Sequence, residues 1–507
     1  MRNKNGLPAS GSPTPMKIAL LLLLAGWVAV VEAAPPAATR TPLGRTIDLN
    51  IGETVDLELA DKSRAIVKVV DYTVTRDRLR DAVRGVDVQV LVNGLPVTLG
   101  CGNYHLPVSI GGVQIDCPMA KPISGNSGAD TWGLQKDVRL RLWPVASPLV
   151  EANTLSYPLR QKWFATATQM ANEPTYVDGG EDPKRKKIYY HNDLDFGGCE
   201  GLTEVVASTD GILVSVANRI LPGYEDTPAG ARYDTAYILD DRGWYHRYLH
   251  LVAFEPGLEP GVRVQRGQKL GVLGKEGDSG GWSHLHYGIV SRQPSGRWGT
   301  EESYAYVWEA YRREYQPKLL AVARPHLFVT TGETFTLDAT KSASADGTAL
   351  RYEWTFYDGT KSDLARVDRR YRQAGEYSEI LKVTDVRGNV AYDFAIILVV
   401  DPALSGHLPP AIHPNYWPTL GIKPGDPVTF KVRTFGTTHG EEVWNFGDGT
   451  PVTKTKSDGN VNEMAKDGYA VTTHRFERAG TYIVTVERED VSGHKATGRL
   501  AVEVGVP

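Results

Sequence analysis

The sequence predicts a mostly β, multidomain chain, and three observations carry that expectation. Apolar and polar residues alternate with a period of two in short segments, as in Thr54-Val55-Asp56-Leu57-Glu58-Leu59 and over residues 86–92, the pattern of half-buried strands. Among 507 residues, 52 Gly and 31 Pro supply many tight turns. The last third of the chain repeats itself, so one module is used twice. Lys+Arg 56 against Asp+Glu 60 gives a net charge of -4. That balance excludes a chain-wide cationic field, so neither nucleic acid nor an anionic lipid surface is expected as a partner.

Taken in order, residues 18–31 form an apolar run of about 14 residues behind Lys17, ending in Val31-Glu32-Ala33. This reads as a signal peptide over residues 1–33, starting from Met16, with cleavage after Ala33 or Ala34. The run is shorter than the roughly 20 residues that span a bilayer, no Cys near the cleavage site offers a lipid anchor, and no later segment is apolar enough for a membrane span. The mature protein is therefore expected to be exported, to the periplasm, the cell surface or the medium. A Pro/Ala/Thr-rich linker over 34–41 leads to an N-terminal β-domain over 43–150, in which no chemistry is legible. Cys101 and Cys117, 16 residues apart, are spaced to close a loop by a disulfide in an oxidising compartment. Cys199 reads as a small buried thiol.

Over 160–315 glycine becomes more frequent and the histidines cluster. Strands are expected at 205–216, 235–239 and 244–252, with a turn at Asp240-Asp241-Arg242-Gly243 between the last two. A helix is expected over 301–315, with Val307, Trp308 and Tyr311 on one face.

The repeat follows, over 320–401 and 416–507. Trp354-Thr355-Phe356-Tyr357-Asp358-Gly359 matches Trp444-Asn445-Phe446-Gly447-Asp448-Gly449, and Ala374-Gly375-Glu376-Tyr377 matches Ala479-Gly480-Thr481-Tyr482. Each Asp-Gly marks a turn and each Trp or Phe a core anchor. A Pro-rich connector, 402–418, separates the copies. The pattern resembles polycystic kidney disease (PKD) domains, with Tyr357 standing where that motif usually has Gly. The resemblance implies two Ig-like β-sandwiches with a spacer or adhesive role, such as contact with a cell surface or polymer.

Five of the 12 histidines fall between residues 191 and 286, in three segments: His191-Asn192-Asp193-Leu194-Asp195, His246-Arg247-Tyr248-Leu249-His250, and His284-Leu285-His286. On a strand, His284 and His286 share one face, and two imidazoles with one carboxylate make a common catalytic zinc set. These marks, with the segments 204–213 and 262–271 between them, resemble the lysostaphin-type zinc metalloendopeptidases, the LytM-like peptidoglycan hydrolases. The likeness covers about 185–292. Asp193 departs from it, since that family usually has Gly between the two ligands, and so does a long insert over 220–233.

The resemblance implies an antiparallel-β domain of the duplicated hybrid motif type. It also implies Zn²⁺ bound by His191, Asp195 and His286, and catalytic roles for His250 and His284: His284 activating water, and His250 orienting it or stabilising the oxyanion. The implied substrate is peptidoglycan, its stem peptides or cross-bridges; another extracellular peptide, or no turnover at all on a retained scaffold, are the competing expectations. His246 matches no ligand and reads as structural or substrate-contacting. Gly277-Asp278-Ser279-Gly280-Gly281 also fits a serine-nucleophile pattern, but a strand rather than a helix is expected after Ser279. Domain order suggests one further device, an N-terminal domain that covers the groove and adds a fourth metal ligand.

Overall fold

The computed structural model describes residues 35–170, 188–403, 408–458 and 468–505, with the side chains of 168–170 left aside. The signal-like segment, 1–33, lies outside the described residues. Strands dominate, and the helices among the described residues are Lys121–Ser124 and Tyr304–Tyr315. No helix among them is long and apolar enough to cross a membrane.

Two four-stranded antiparallel sheets form the N-terminal unit: Arg45–Leu49, Val138–Pro144, Val113–Ala120 and Val108–Ile110 in one, Thr54–Glu58, Arg64–Arg76, Val83–Val92 and Leu95–Gly100 in the other. Their inward residues, among them Val67, Val88 and Leu140, share one core. Asn93 and Gly94, both at positive φ, make the tight turn between two strands. Cys101 and Cys117 lie opposite each other across an isolated bridge as free, buried thiols, so the expected disulfide is not formed. Arg141, fully buried, pairs with Asp116 at 2.6 Å and donates to the Glu302 carbonyl at 2.6 Å, which ties this unit to the next.

The central unit is built on a nine-stranded sheet. Its key strand, His284–Arg292, runs antiparallel between Tyr245–Leu249 on one side and Leu194–Gly197 on the other. A three-stranded sheet of Glu204–Val206, Lys269–Leu273 and Leu251–Phe254 packs beside it. Two expected strands are each divided between these sheets. Residues 205–216 break at the Ser208–Asp210 bend, and residues 244–252 break at His250, whose φ of 71° leaves the extended region. The helix begins at Tyr304 rather than at 301, because Trp298–Glu301 continues the sheet beside Ile289–Arg292. It ends at Gln316 in the left-handed region, just before Pro317, and buries Tyr304, Val307, Trp308 and Tyr311 against Tyr157 and Trp163.

In the two repeat modules Trp354 and Trp444 are completely buried anchors, and Asp358 and Asp448 each accept the amide of the Thr two residues on, at 3.0 Å. One nine-stranded sheet runs through both modules, joined where Gly375 and Glu376 pair in parallel with Lys495 and Ala496. The strand Ala411–Trp417 already pairs with Pro427–Phe435. The connector is therefore shorter than its proline content suggests: Pro414 lies within that strand, a place proline tolerates where its missing N–H is not needed by the ladder.

Candidate metal centre

Strand register brings the candidate ligands together. Asp195 stands opposite His286 in the ladder between Leu194–Gly197 and His284–Arg292, and the loop before it carries His191 to the same point. His191 Nε2, Asp195 and His286 Nδ1 offer ligand atoms within 4.8 Å of one another, all three residues buried. The separations are 3.1 Å from His191 Nε2 to Asp195 Oδ2, 2.8 Å from His286 Nδ1 to Asp195 Oδ1, and 3.2 Å between the two nitrogens. Tetrahedral zinc with bonds of about 2.0–2.1 Å needs ligand-to-ligand edges of roughly 3.3 Å, so the donor set fits that ion with small adjustments.

Electrostatics favour a cation at the same point. Burial opposes ionisation of Asp195, but His191, His284 and His286 hold its carboxyl well below the usual carboxylate range. Burial also opposes a charged His286, yet Asp195 and Asp193 outweigh it and push that imidazole up to about 9. A site that would draw a proton onto a buried histidine is one whose negative charge awaits a positive partner.

His250 and His284 lie beside this cluster, their rings 4.6 Å apart. His250 Nδ1 donates to the Glu276 carbonyl at 2.6 Å, and His284 Nδ1 to the Trp282 carbonyl at 3.1 Å. Both Nε2 atoms are left for other work; that of His284 sits 3.3 Å from Asp195 Oδ2. Burial pushes the His284 imidazole well below its ordinary value, which keeps it neutral and able to accept a proton. Asp234, at the end of the long insert, accepts the His250 backbone amide at 3.0 Å, and hydrogen bonds from His250 and Arg232 overcome its burial to hold its carboxyl at about 2.

Several contributors have no clear signal in sequence. Asp193 receives His286 Nε2 at 3.2 Å and is paired with the Arg247 guanidinium, fully buried. The carboxylate behind a ligating histidine is a common means of fixing its tautomer. Asp193 stands out in sequence only as a departure, and Arg247 does not stand out at all. Tyr189, pushed up to about 12 by burial, and Arg232 line the same groove.

His246 is wholly buried behind the sheet, bonded to Asp240 Oδ2 at 3.1 Å, Tyr287 OH at 3.0 Å and Ser208 Oγ at 3.2 Å. It is structural, and the apparent Ser-His-Asp line it completes has no access for a substrate. Ser279 Oγ donates to the Lys275 carbonyl at 2.6 Å within a turn, and a strand rather than a helix follows, so it has no base to activate it. Among the described residues the N-terminal unit adds no member to the ligand cluster. It contributes Thr131 to the groove, while the opposite wall comes from the C-terminal half, through Leu398, Ala411, His413 and Phe435.

Comparison with known proteins bears on the same segments. Residues 189–296 match peptidase family M23, and residues 317–395 and 415–502 each match the PKD domain. Collagenase ColA of Clostridium perfringens is 37% identical over 86 residues, which is 17% of this chain and 8% of that protein. Among solved structures, a putative glycyl-glycine endopeptidase LytM from Ruminococcus gnavus is 20% identical with a TM-score of 0.23, covering 32% of this chain and 61% of its own. Csd3 of Helicobacter pylori is 15% identical with a TM-score of 0.21, covering 52% and 82%. The chain thus spans less than two thirds of both the collagenase and the LytM-like protein. It carries a peptidase family M23 domain followed by two PKD domains.

Proposed function

We propose that this chain is an exported zinc metalloendopeptidase that hydrolyses amide bonds in the peptide stems or cross-bridges of peptidoglycan. The observation that carries the reading is the convergence of His191 Nε2, Asp195 and His286 Nδ1 within 4.8 Å, inside the segment that matches peptidase family M23. When bound there, zinc supplies a Lewis acid for the scissile carbonyl and lowers the pKa of water toward about 7.

The remaining work falls to this chain's own side chains. His191, Asp195 and His286 hold the ion. His284, kept neutral by burial, accepts the proton of the attacking water at Nε2 and returns it to the leaving amine. His250, fixed through Nδ1 by the Glu276 carbonyl, presents Nε2 as donor to the developing oxyanion. Asp193 and Arg247 hold His286 in the tautomer that leaves Nδ1 free. Burial of these five histidine and carboxylate side chains lowers the dielectric around them and strengthens each of these interactions. The apolar run over 18–31 supports export, and the PKD domains support contact with a surface polymer.

A second substrate class, another exported protein, is favoured by the 37% identity to a collagenase over 86 residues. Retention of every proposed ligand and both auxiliary histidines argues against an inactive scaffold. Digestion of purified peptidoglycan beside gelatin separates the readings. New amino termini are expected from peptidoglycan, lost on chelation and restored by zinc. Release from gelatin alone would transfer the activity to protein substrates, and release from neither would sink the proposal.

A further inference from the structure

The groove that holds the metal cluster does not end at the peptidase domain. One cavity of about 520 Å³ runs from His191, Asp195 and His286 to residues of the C-terminal half, Leu398, Pro409, Ala411, His413 and Phe435. That volume lies in the range of sites that enclose a ligand.

An aromatic ladder crosses the boundary. The Trp282 indole stacks on the His284 imidazole at 4.0 Å and 21°, and faces His413, in the strand that leads into the second PKD domain, at 5.2 Å and 32°. His413 in turn meets Phe435 edge-on at 5.4 Å. The two surfaces are fixed together at the rim: Arg433 donates to the Gly281 carbonyl, the Ser283 amide donates to Tyr469 OH at 2.8 Å, and Lys431 Nζ donates to the Glu200 carbonyl at 2.8 Å. The first two of these bonds hold the 277–283 loop, which leads directly into His284.

We infer that the second PKD domain is a working wall of the peptidase groove, and that Trp282, His413 and Phe435 form a subsite for an uncharged, apolar side chain of the peptide flanking the scissile bond. This rests on the peptidase reading for the identity of the occupant as a peptide. Its chemistry follows from the lining. Among the described residues, none that the C-terminal half contributes to the cavity carries a fixed charge, His413 being an imidazole. On the peptidase side Arg232 pairs with Asp234 and Arg247 with Asp193, Asp195 belongs to the ligand cluster, and Asp278 is exposed at the mouth; Arg433, over the Phe435 ring, is buried and paired with the Gly281 carbonyl and Asp458. A charged substrate side chain would find no partner beside this wall and would lose its hydration, whereas methyl or methylene groups gain from contact with the three rings.

The test uses the full-length chain freed of metal, so that binding is read without hydrolysis, with Trp fluorescence as the signal. The probes are acetyl-trialanine amide, acetyl-triglycine amide and acetyl-triglutamate amide. Wild type is expected to bind trialanine about 10-fold more tightly than triglycine, and triglutamate most weakly. Phe435→Ala should bring trialanine and triglycine to within about 2-fold, while Phe435→Leu, which keeps an apolar side chain, should restore most of the preference. Phe435 is only half-buried, and an unchanged thermal midpoint in both variants shows that the fold is intact. Equal affinities in wild type, or a preference that survives Phe435→Ala, would overturn the inference. A chain that shows the preference and yet hydrolyses no peptide after reloading with zinc would sink the peptidase reading and leave the subsite standing.

Discussion

Asp193 occupies a backbone position with φ of 70°, in the left-handed region where Gly is the easiest residue and Asp among the better tolerated. Its carboxylate lies over Gly288, where any Cβ would collide with it; the two positions are fitted to each other. The buried guanidinium of Arg247 balances its charge, and its Oδ2 takes the Nε2 proton of His286, which is the proton that must stay on for Nδ1 to be a ligand. Asp193→Asn is therefore expected to weaken zinc binding by about 10- to 100-fold, read by competition with a chromogenic chelator. An unchanged zinc affinity would reduce Asp193 to a packing residue. The ligand candidates themselves were legible in sequence because their spacings are local: two residues along a strand, or four across one loop. The Asp193–Arg247 partnership was not, because it depends on the register between strands more than 50 positions apart in sequence.

Among the elements, the strand over 245–254 shows how a local irregularity serves the site. The left-handed residue His250 ends pairing with the large sheet after Leu249 and starts pairing with the small one at Leu251, so its own imidazole turns toward the groove instead of alternating in or out. Period-two patterning predicted one unbroken strand there, since it carries no information about which sheet each half joins. The junction between the repeat modules has a titration of its own. Burial pushes Glu376 up to about 8, although the Ile412 amide donates to its carboxylate at 3.0 Å. Its folded value thus lies above the ordinary 4.5. The associated stability is complete below about pH 4.5 and declines as pH rises toward and through 8. Glu376→Gln, which keeps the shape without the ionisation, is expected to flatten the fall of the thermal midpoint between pH 5 and 8.5. Parallel curves for variant and wild type would show that the burial of Glu376 is relieved in solution.

At the scale of the whole molecule, the M23 domain is bracketed. Arg141 of the N-terminal unit reaches the Glu302 carbonyl, Lys162 pairs with Glu503 at 2.5 Å, and the second PKD domain grips the loop before His284. The repeat, the turns and the β-class were readable because each module writes its own pattern in about 90 contiguous residues. The docking of one module on another was not, because surface residues such as Lys431 and Tyr469 carry no periodicity that points to a partner more than 180 positions away. Domain order pointed to the N-terminal side, which contributes Thr131 to the groove; the apolar wall comes from the C-terminal side. Tyr469→Phe removes the acceptor of the Ser283 amide, and hydrogen exchange at that amide is expected to quicken about 5-fold. Unchanged exchange would mean that the second PKD domain does not hold the loop.

The claim on which the rest depends is that His191, Asp195 and His286 form one zinc site that performs hydrolysis. It is tested most directly by zinc per mole of the purified full-length chain, wild type beside His286→Ala, with peptidoglycan hydrolysis measured on the same samples. One zinc and turnover are expected in wild type, with both lost in the variant. A wild-type chain that takes up no zinc from a stoichiometric supply, or a variant that keeps both metal and turnover, would contradict it.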